Sequence, residues 1–307
     1  MKTIKILACS LMAASGFVFT ACGDDDGPAA LPPIGGYNSA DDVGAADLVA
    51  YWPLNGDGKE SKSGIAPSGS SNVAFNDAVK GKGADFNMGY LNYPVISSLN
   101  SINGSITISL WAKVSNNATN ATMFFSLSAP QDATHDAWNG AANILAETGR
   151  GNRPITADTL QVKGLFNILK QDGTSFGGDA VNAEQLSADD IADGGEVHVN
   201  KTAGQWMHVV YVYDGSTAKN MLYVNGQKIS NPQWEERNKI NGVNVGVPFA
   251  AFANSHPIIG SFGSILTGNS DSWQQHMKGG IDEIRVWKKV VSAADINALY
   301  ELESAGR

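Results

Sequence analysis

Cysteine is almost missing from this chain. Its 307 residues carry 2, at positions 9 and 22, and Cys9 falls inside an N-terminal apolar segment of leader type. An exported chain left with one cysteine cannot close an internal disulfide, so packing must stabilise it. Charge is scarce at 17%, and basic charge scarcer still: 21 Lys and Arg against 30 Asp and Glu give a net charge of -9. Such a balance repels phosphate backbones and offers no basic patch, which excludes nucleic acid as a partner. The apolar run at residues 6–19 is too short for a stable membrane-spanning helix. Catalytic signatures are missing too: no HExxH, P-loop, GxGxxG or Ser-His-Asp order occurs. Among the scattered histidines, His135, His256 and His276 share no metal-ligand spacing. What is present is 43% hydrophobic and 8% aromatic residues, too much apolar mass for a disordered chain. Thirty-four glycines and 11 prolines, spread without a repeat, suit many short strands joined by tight turns and predict an all-β fold.

The N-terminus reads as an address followed by an anchor. Lys2 and Lys5 precede the apolar run, the layout of an export signal over residues 1–21. The run ends in FTAC, which resembles a bacterial lipobox and makes Cys22 the acylated residue of the mature chain. Gly23 and the acidic run Asp24, Asp25, Asp26 resemble the surface-export signal of Bacteroidota lipoproteins, implying an outer-membrane protein that faces the cell exterior. Residues 22–46, rich in Pro, Gly, Ala and Asp, read as acylated cysteine and flexible tether, and the folded domain is expected over residues 47–307.

Period-two patterning then dominates. Leu48, Ala50, Trp52 and Leu54 share one strand face, as do Ile106, Ile108, Leu110, Ala112 and Val114 of a second strand whose other face is wetter. Residues 205–215 are apolar on both faces, the mark of a central strand covered by layers. Asn225 and Gly226, between NMLYV and QKIS, predict a type I′ hairpin. A last strand over residues 279–289 leads to Ser292 and Asp295, a helix start carrying Ile296, Leu299, Tyr300 and Leu302. Residues 129–159 and 172–204 show few strand signals and read as long loops, functional or disordered.

The blocks LVAYWPLNGDGKESKSG, GKGADFNMGYLNYP, GSITISLWAKV, QWMHVVYVYDGSTAKNMLYVNGQKIS and GGIDEIRVWKKVVSAADINALYELE resemble, in order, the LamG-like jelly-roll family of concanavalin A-like lectins and glucanases. The resemblance spans roughly residues 47–303 and implies two curved antiparallel sheets packed face to face with a short C-terminal helix. Related folds bind sugars, adhere to proteins or hydrolyse polysaccharides.

Hydrolysis needs paired carboxylates on one face, and the E-x-D-x-x-E run of the related glucanases is missing. Asp282 and Glu283 are adjacent and point to opposite faces of a regular strand, so the chain reads as non-catalytic. Asp282 is in phase with Ile284 and Val286, which draws a carboxylate coreward where it needs a partner. Two answers fit: calcium, shared with Asn55 and Asp57 as the related jelly rolls imply, or the backbone amides of loop 55–58. Relatives carry Asp-Ser-Ser-Gly where this chain has Glu60, Ser61, Lys62, Ser63 and Gly64.

The tryptophans divide in two. Trp52, Trp111, Trp206 and Trp287 fall in strand blocks and are expected to pack, whereas Trp138, Trp234 and Trp273 lie among polar loop residues. Loop indoles either cover a neighbouring strand or stack on sugar rings, with Asn139, Arg237 and Gln274, as well as Asp136, Glu235 and Gln275, available for hydroxyl groups. The tripeptide at 158–160 resembles an O-glycosylation acceptor at Thr159. The function expected is a surface lipoprotein that captures a polysaccharide or glycan beside outer-membrane importers or glycosidases, touching the membrane through its lipid alone. The alternatives are an adhesion module binding protein and a cryptic glycoside hydrolase.

Overall fold

The computed structural model describes residues 31–130, 138–147 and 156–307. Cys22, His135 and Asp136 lie outside the described residues. The principal strands are β1 (Leu48–Trp52), β2 (Gly69–Asp77), β3 (Lys82–Asn92), β4 (Ile106–Val114), β5 (Ala121–Ser128), β6 (Ala142–Glu147), β7 (Gln161–Leu169), β8 (Ser175–Val181), β9 (Met207–Asp214), β10 (Lys219–Val224), β11 (His256–Ile259) and β12 (Met277–Trp287). A helix, Ala293–Ser304, closes the chain. The strands run in the order β10, β9, β4, β12, β3, β11, β5, β6, β7, β8, with β1 added to β12 and β2 to β3.

The fold is all-β, as the patterning predicts. Its two layers are halves of one curled ladder, because β11 pairs with β3 on one side and with β5 on the other. The halves meet through rings: Phe166 lies 4.4 Å from Tyr213, and Trp52 lies 5.8 Å from Phe125, centroid to centroid. Gly164 makes the approach possible, since a Cβ there would sit 2.1 Å from Cδ2 of Tyr211.

Several expectations hold in detail. Ile106, Ile108, Leu110, Ala112 and Val114 all enter the main core. Asn225 and Gly226 take φ of 49° and 76° and join β10 to the short strand Gln227–Lys228. Ser292 caps the final helix by accepting from the Asp295 amide, and Ile296, Leu299 and Leu302 are buried.

Three expectations change. The compact unit starts at Pro33, ahead of residue 47, because Ala40 and Val43 are buried against Trp287 and the final helix. The segments read as long loops contain β6 and β8: ANILAE is buried on both faces and so shows no alternation, and SFGGDAV has glycines where inward side chains are expected. Finally, the outer face of β4 is wet only at Lys113, since Thr107, Ser109 and Trp111 are buried beneath the C-terminal segment.

Candidate functional site

A β-bulge in β12 organises the surroundings of the site. Ile281 and Ile284 both point into the core although they are three positions apart, because the pairing with β4 slips between Asp282 and Arg285 and Glu283 takes φ of +50°. Asp282 therefore points outward, against the phase expected from Ile284 and Val286. Its Oδ2 accepts from the Val79 and Lys80 amides at 3.0 Å each, and its Oδ1 from the Glu283 amide. Burial pushes the Asp282 carboxyl up to about 7, with the Glu283 charge adding to it and the amides opposing. Backbone amides do satisfy this carboxylate, but they belong to the β2–β3 turn and not to loop 55–58.

The other expected cation ligands are also turned to the backbone. Asn55 Oδ1 accepts from the Lys82 amide at 3.0 Å and Asp57 Oδ1 from the Lys59 amide at 2.9 Å. Each of the three expected ligands thus accepts from backbone amides. Among the described residues no group of three or more His, Cys, Asp or Glu is arranged to hold a metal. The loop is instead built on Glu60, fully buried, which accepts the amides of Tyr51, Lys62 and Ser63.

Beyond the bulge, the outer face of β4 and β12 is divided. One part is roofed by the final helix: Trp111 Nε1 donates to Glu303, and its ring stacks on Tyr300 at 5.7 Å. His208, within 2.7 Å of the Ser109 hydroxyl, is held neutral by burial and by Arg285, its pKa lowered to about 3. The other part is left open as a groove of about 490 Å³. Gly83, Gly279 and Gly280 line its floor, and at Gly280 the missing side chain leaves room for an aromatic ring. Asn76, Asp77, Asp85 and Asn87 stand on one side, and Lys113, Ser115 and Lys278 on the other, all exposed. The Asn76 amide donates to Asp85 at 2.9 Å.

Trp206 borders this groove. It sits one position before β9, half-exposed, with its six-membered ring against Gly280; a Cβ there would lie 2.5 Å from Cη2. Patterning assigned Trp206 to packing because it adjoins a strand block. The Gly279–Gly280 pair inside a strand is the signal that marks a close approach at this spot.

The loop aromatics expected to meet a ligand fall into two other places. Trp138 and Trp273 come together edge to face at 5.5 Å, over Met123, Leu145, Leu165 and Phe262 on the outer face of β5–β7, and both stay half-exposed. Asn139, next to them, accepts from the Asn143 amide at 3.2 Å. Gln274 is buried and accepts from Ser264 at 2.7 Å, which makes it part of the framework. Trp234 and Arg237 share a hollow of about 170 Å³ with Lys163 and Asp179, and Arg237 donates to Asp179. Thr159 is buried, with its hydroxyl 3.0 Å from the Thr156 carbonyl, a position closed to glycosylation. No helix among the described residues is long and apolar enough to cross a membrane.

No family model matches the chain, and no curated protein matches it. Solved structures do. The chain is similar to domain 4 of AbnA, a GH43 extracellular arabinanase from Geobacillus stearothermophilus solved in complex with arabinotriose. There the identity is 18%, with 83% of this chain and 98% of that chain covered and a TM-score of 0.48. It is similar to the receptor binding domain of botulinum neurotoxin mosaic serotype C/D at 12% identity, 83% and 50% coverage and a TM-score of 0.49. The chain thus spans about half the length of that toxin domain. A heptameric SAP-like pentraxin from Limulus polyphemus matches at 15% identity, 64% and 69% coverage and a TM-score of 0.38.

Proposed function

We propose that this protein is a non-catalytic carbohydrate-binding domain and that the open groove beside Trp206 is its ligand site. The observation that carries the reading is an indole kept half-exposed over a glycine floor, with amides, carboxylates and lysines flanking it. A sugar presents C–H faces to an aromatic ring and hydroxyls to polar neighbours, and this groove offers both kinds of contact. Asp85 is held by Asn76 in the groove wall, which suits an acceptor for hydroxyl groups better than a free acid or nucleophile. Export, acylation at Cys22 and display outside the outer membrane belong to the same proposal and rest on the N-terminal sequence. Many copies tethered to one membrane reinforce weak single-site binding.

A glycan array probed with the wild type and with Trp206→Ala tests the reading. Binding to at least one glycan, weakened about tenfold or more by the substitution, is expected. Binding only to immobilised matrix proteins, or release of reducing sugar from a polysaccharide panel, overturns it in favour of adhesion or hydrolysis.

A further inference from the structure

The groove does not end at Lys278. A second hollow of about 240 Å³ is lined by Met88, Ser115, Asn117, Thr122, Gln275 and Lys278, so Ser115 and Lys278 belong to both. β3, β4 and β12 lead from the first hollow toward the second, which is closed by Gln275 donating to Thr122 of β5 at 3.2 Å. Gly83, Asp85 and Asn87 lead along β3 to Met88; Lys113 and Ser115 lead along β4 to Asn117; Gly280 and Lys278 lead back along β12 to Gln275. The joined trough follows the strand direction for roughly 15 Å, taking about 3.3 Å per residue from Gly83 to Met88.

Two apolar contacts stand along it. Trp206 lies against Gly280, level with Asp85, and Met88, 41% exposed at φ of +56°, lies farther along β3. Around them the side chains are amides, hydroxyls and a balanced set of charges, with Asp77 and Asp85 against Lys113 and Lys278. A trough of this kind favours an uncharged ligand, because a strongly anionic or cationic one meets as much repulsion as attraction.

We infer that the trough takes an interior stretch of an unbranched, uncharged polysaccharide laid along the strands, with one sugar at Trp206 and another at Met88. This deepens the proposed function and rests on it. A single sugar would fill only one of the two hollows, whereas a chain laid along the strands reaches both.

Calorimetry with unbranched gluco-, xylo-, manno- and galacto-oligosaccharides, from disaccharide to hexasaccharide, tests the inference on the full folded chain. For the glycan that binds, affinity is expected to rise about tenfold or more with length as the second hollow fills. Met88→Ala and Gln275→Ala should each weaken the hexasaccharide and leave the disaccharide unchanged, whereas Trp206→Ala weakens both. Equal affinity for the two lengths, or a hexasaccharide indifferent to both distal substitutions, overturns the trough while leaving the Trp206 site standing. Failure of every series to bind overturns both.

Discussion

Arg285 of β12 donates through Nε to Glu303 of the final helix at 2.9 Å, with both side chains out of contact with solvent. The same guanidinium reaches Glu283 at 2.7 Å and Asp41 at 2.8 Å, and lies 4.0 Å from the Tyr51 ring centre. One cation thus joins the last strand, the helix that roofs it and the segment before β1. Two buried carboxylates sharing it cannot both be fully compensated; burial pushes the Glu303 carboxyl up, and Arg285 only partly opposes this. Arg285→Met is expected to cost about 3–5 kcal/mol in urea unfolding at pH 7, since it strands Glu283 and Glu303 in the interior. Glu303→Gln should cost about 1–2 kcal/mol, because one acid is removed and the single amide oxygen keeps one of the two donors, Trp111 or Arg285, while the NH2 group faces the other. Equal costs for the two would show that the helix is held by its apolar face alone.

Asp282 sets a pH dependence whose sign follows from its raised pKa. The folded state keeps this proton up to about pH 7, whereas an unfolded aspartate releases it near pH ~4, so between those values the folded chain binds more protons. Stability from this group is full at the acid end and is lost as pH rises through 7. His208, with its lowered pKa, acts in the opposite sense, losing stability as pH falls below about 6.5. Comparing wild type with Asp282→Asn at pH 5 and pH 8 isolates the first effect. The variant should recover about 1–3 kcal/mol relative to wild type at pH 8 compared with pH 5. Parallel pH profiles would remove Asp282 as the titrating group.

Most of the scaffold was legible because it obeys short-range rules. The Ile106–Val114 alternation, the Asn225–Gly226 turn and the Ser292 cap each depend on neighbours a few residues away. The bulge at Glu283 was not, since a non-glycine residue at φ of +50° carries no sequence mark, and the slip it causes leaves Asp282 outside the core beside Glu283, which meets Arg285 and Lys80. The Arg285–Glu303 contact was hidden for a different reason: it depends on the angle at which the helix returns over the sheet. Loop or strand location also misled the sorting of indoles. Trp273 lies in a polar stretch yet packs on Phe262 at 5.4 Å, while Trp206 adjoins an apolar strand yet faces the groove.

That sorting is open to a direct check. Trp273 contacts Phe262 and Trp138 and sits against the Met123, Leu145 and Leu165 cluster, so Trp273→Ala should cost about 2–4 kcal/mol of unfolding free energy. Trp138→Ala, which removes the outer member of the pair, should cost less, about 1–2 kcal/mol. Trp206→Ala should leave the urea midpoint close to that of the wild type. Urea unfolding of the three variants reads all of this in one series. A Trp206 variant as unstable as the Trp273 variant would return Trp206 to the framework.

The strongest separation of groove from framework comes from two glycines on adjacent strands. At Gly280 the three atoms nearest an added Cβ all belong to the Trp206 ring, the first at 2.5 Å, and a side chain that can rotate is able to yield. At Gly83 an added Cβ meets the Ile281 carbonyl and Ala78, both at 2.8 Å, and backbone cannot yield without disturbing the β2–β3 turn. Gly280→Val is therefore expected to displace the indole and weaken glycan binding about tenfold or more, as Trp206→Ala does, with little change in stability, because a β-branched residue suits a strand. Gly83→Val should destabilise the fold by about 1–3 kcal/mol through overpacking. Thermal midpoints and calorimetric titrations on both variants decide between them. Wild-type affinity in Gly280→Val would mean that the ligand does not depend on where Trp206 rests, and the groove would then have to be assigned to other side chains.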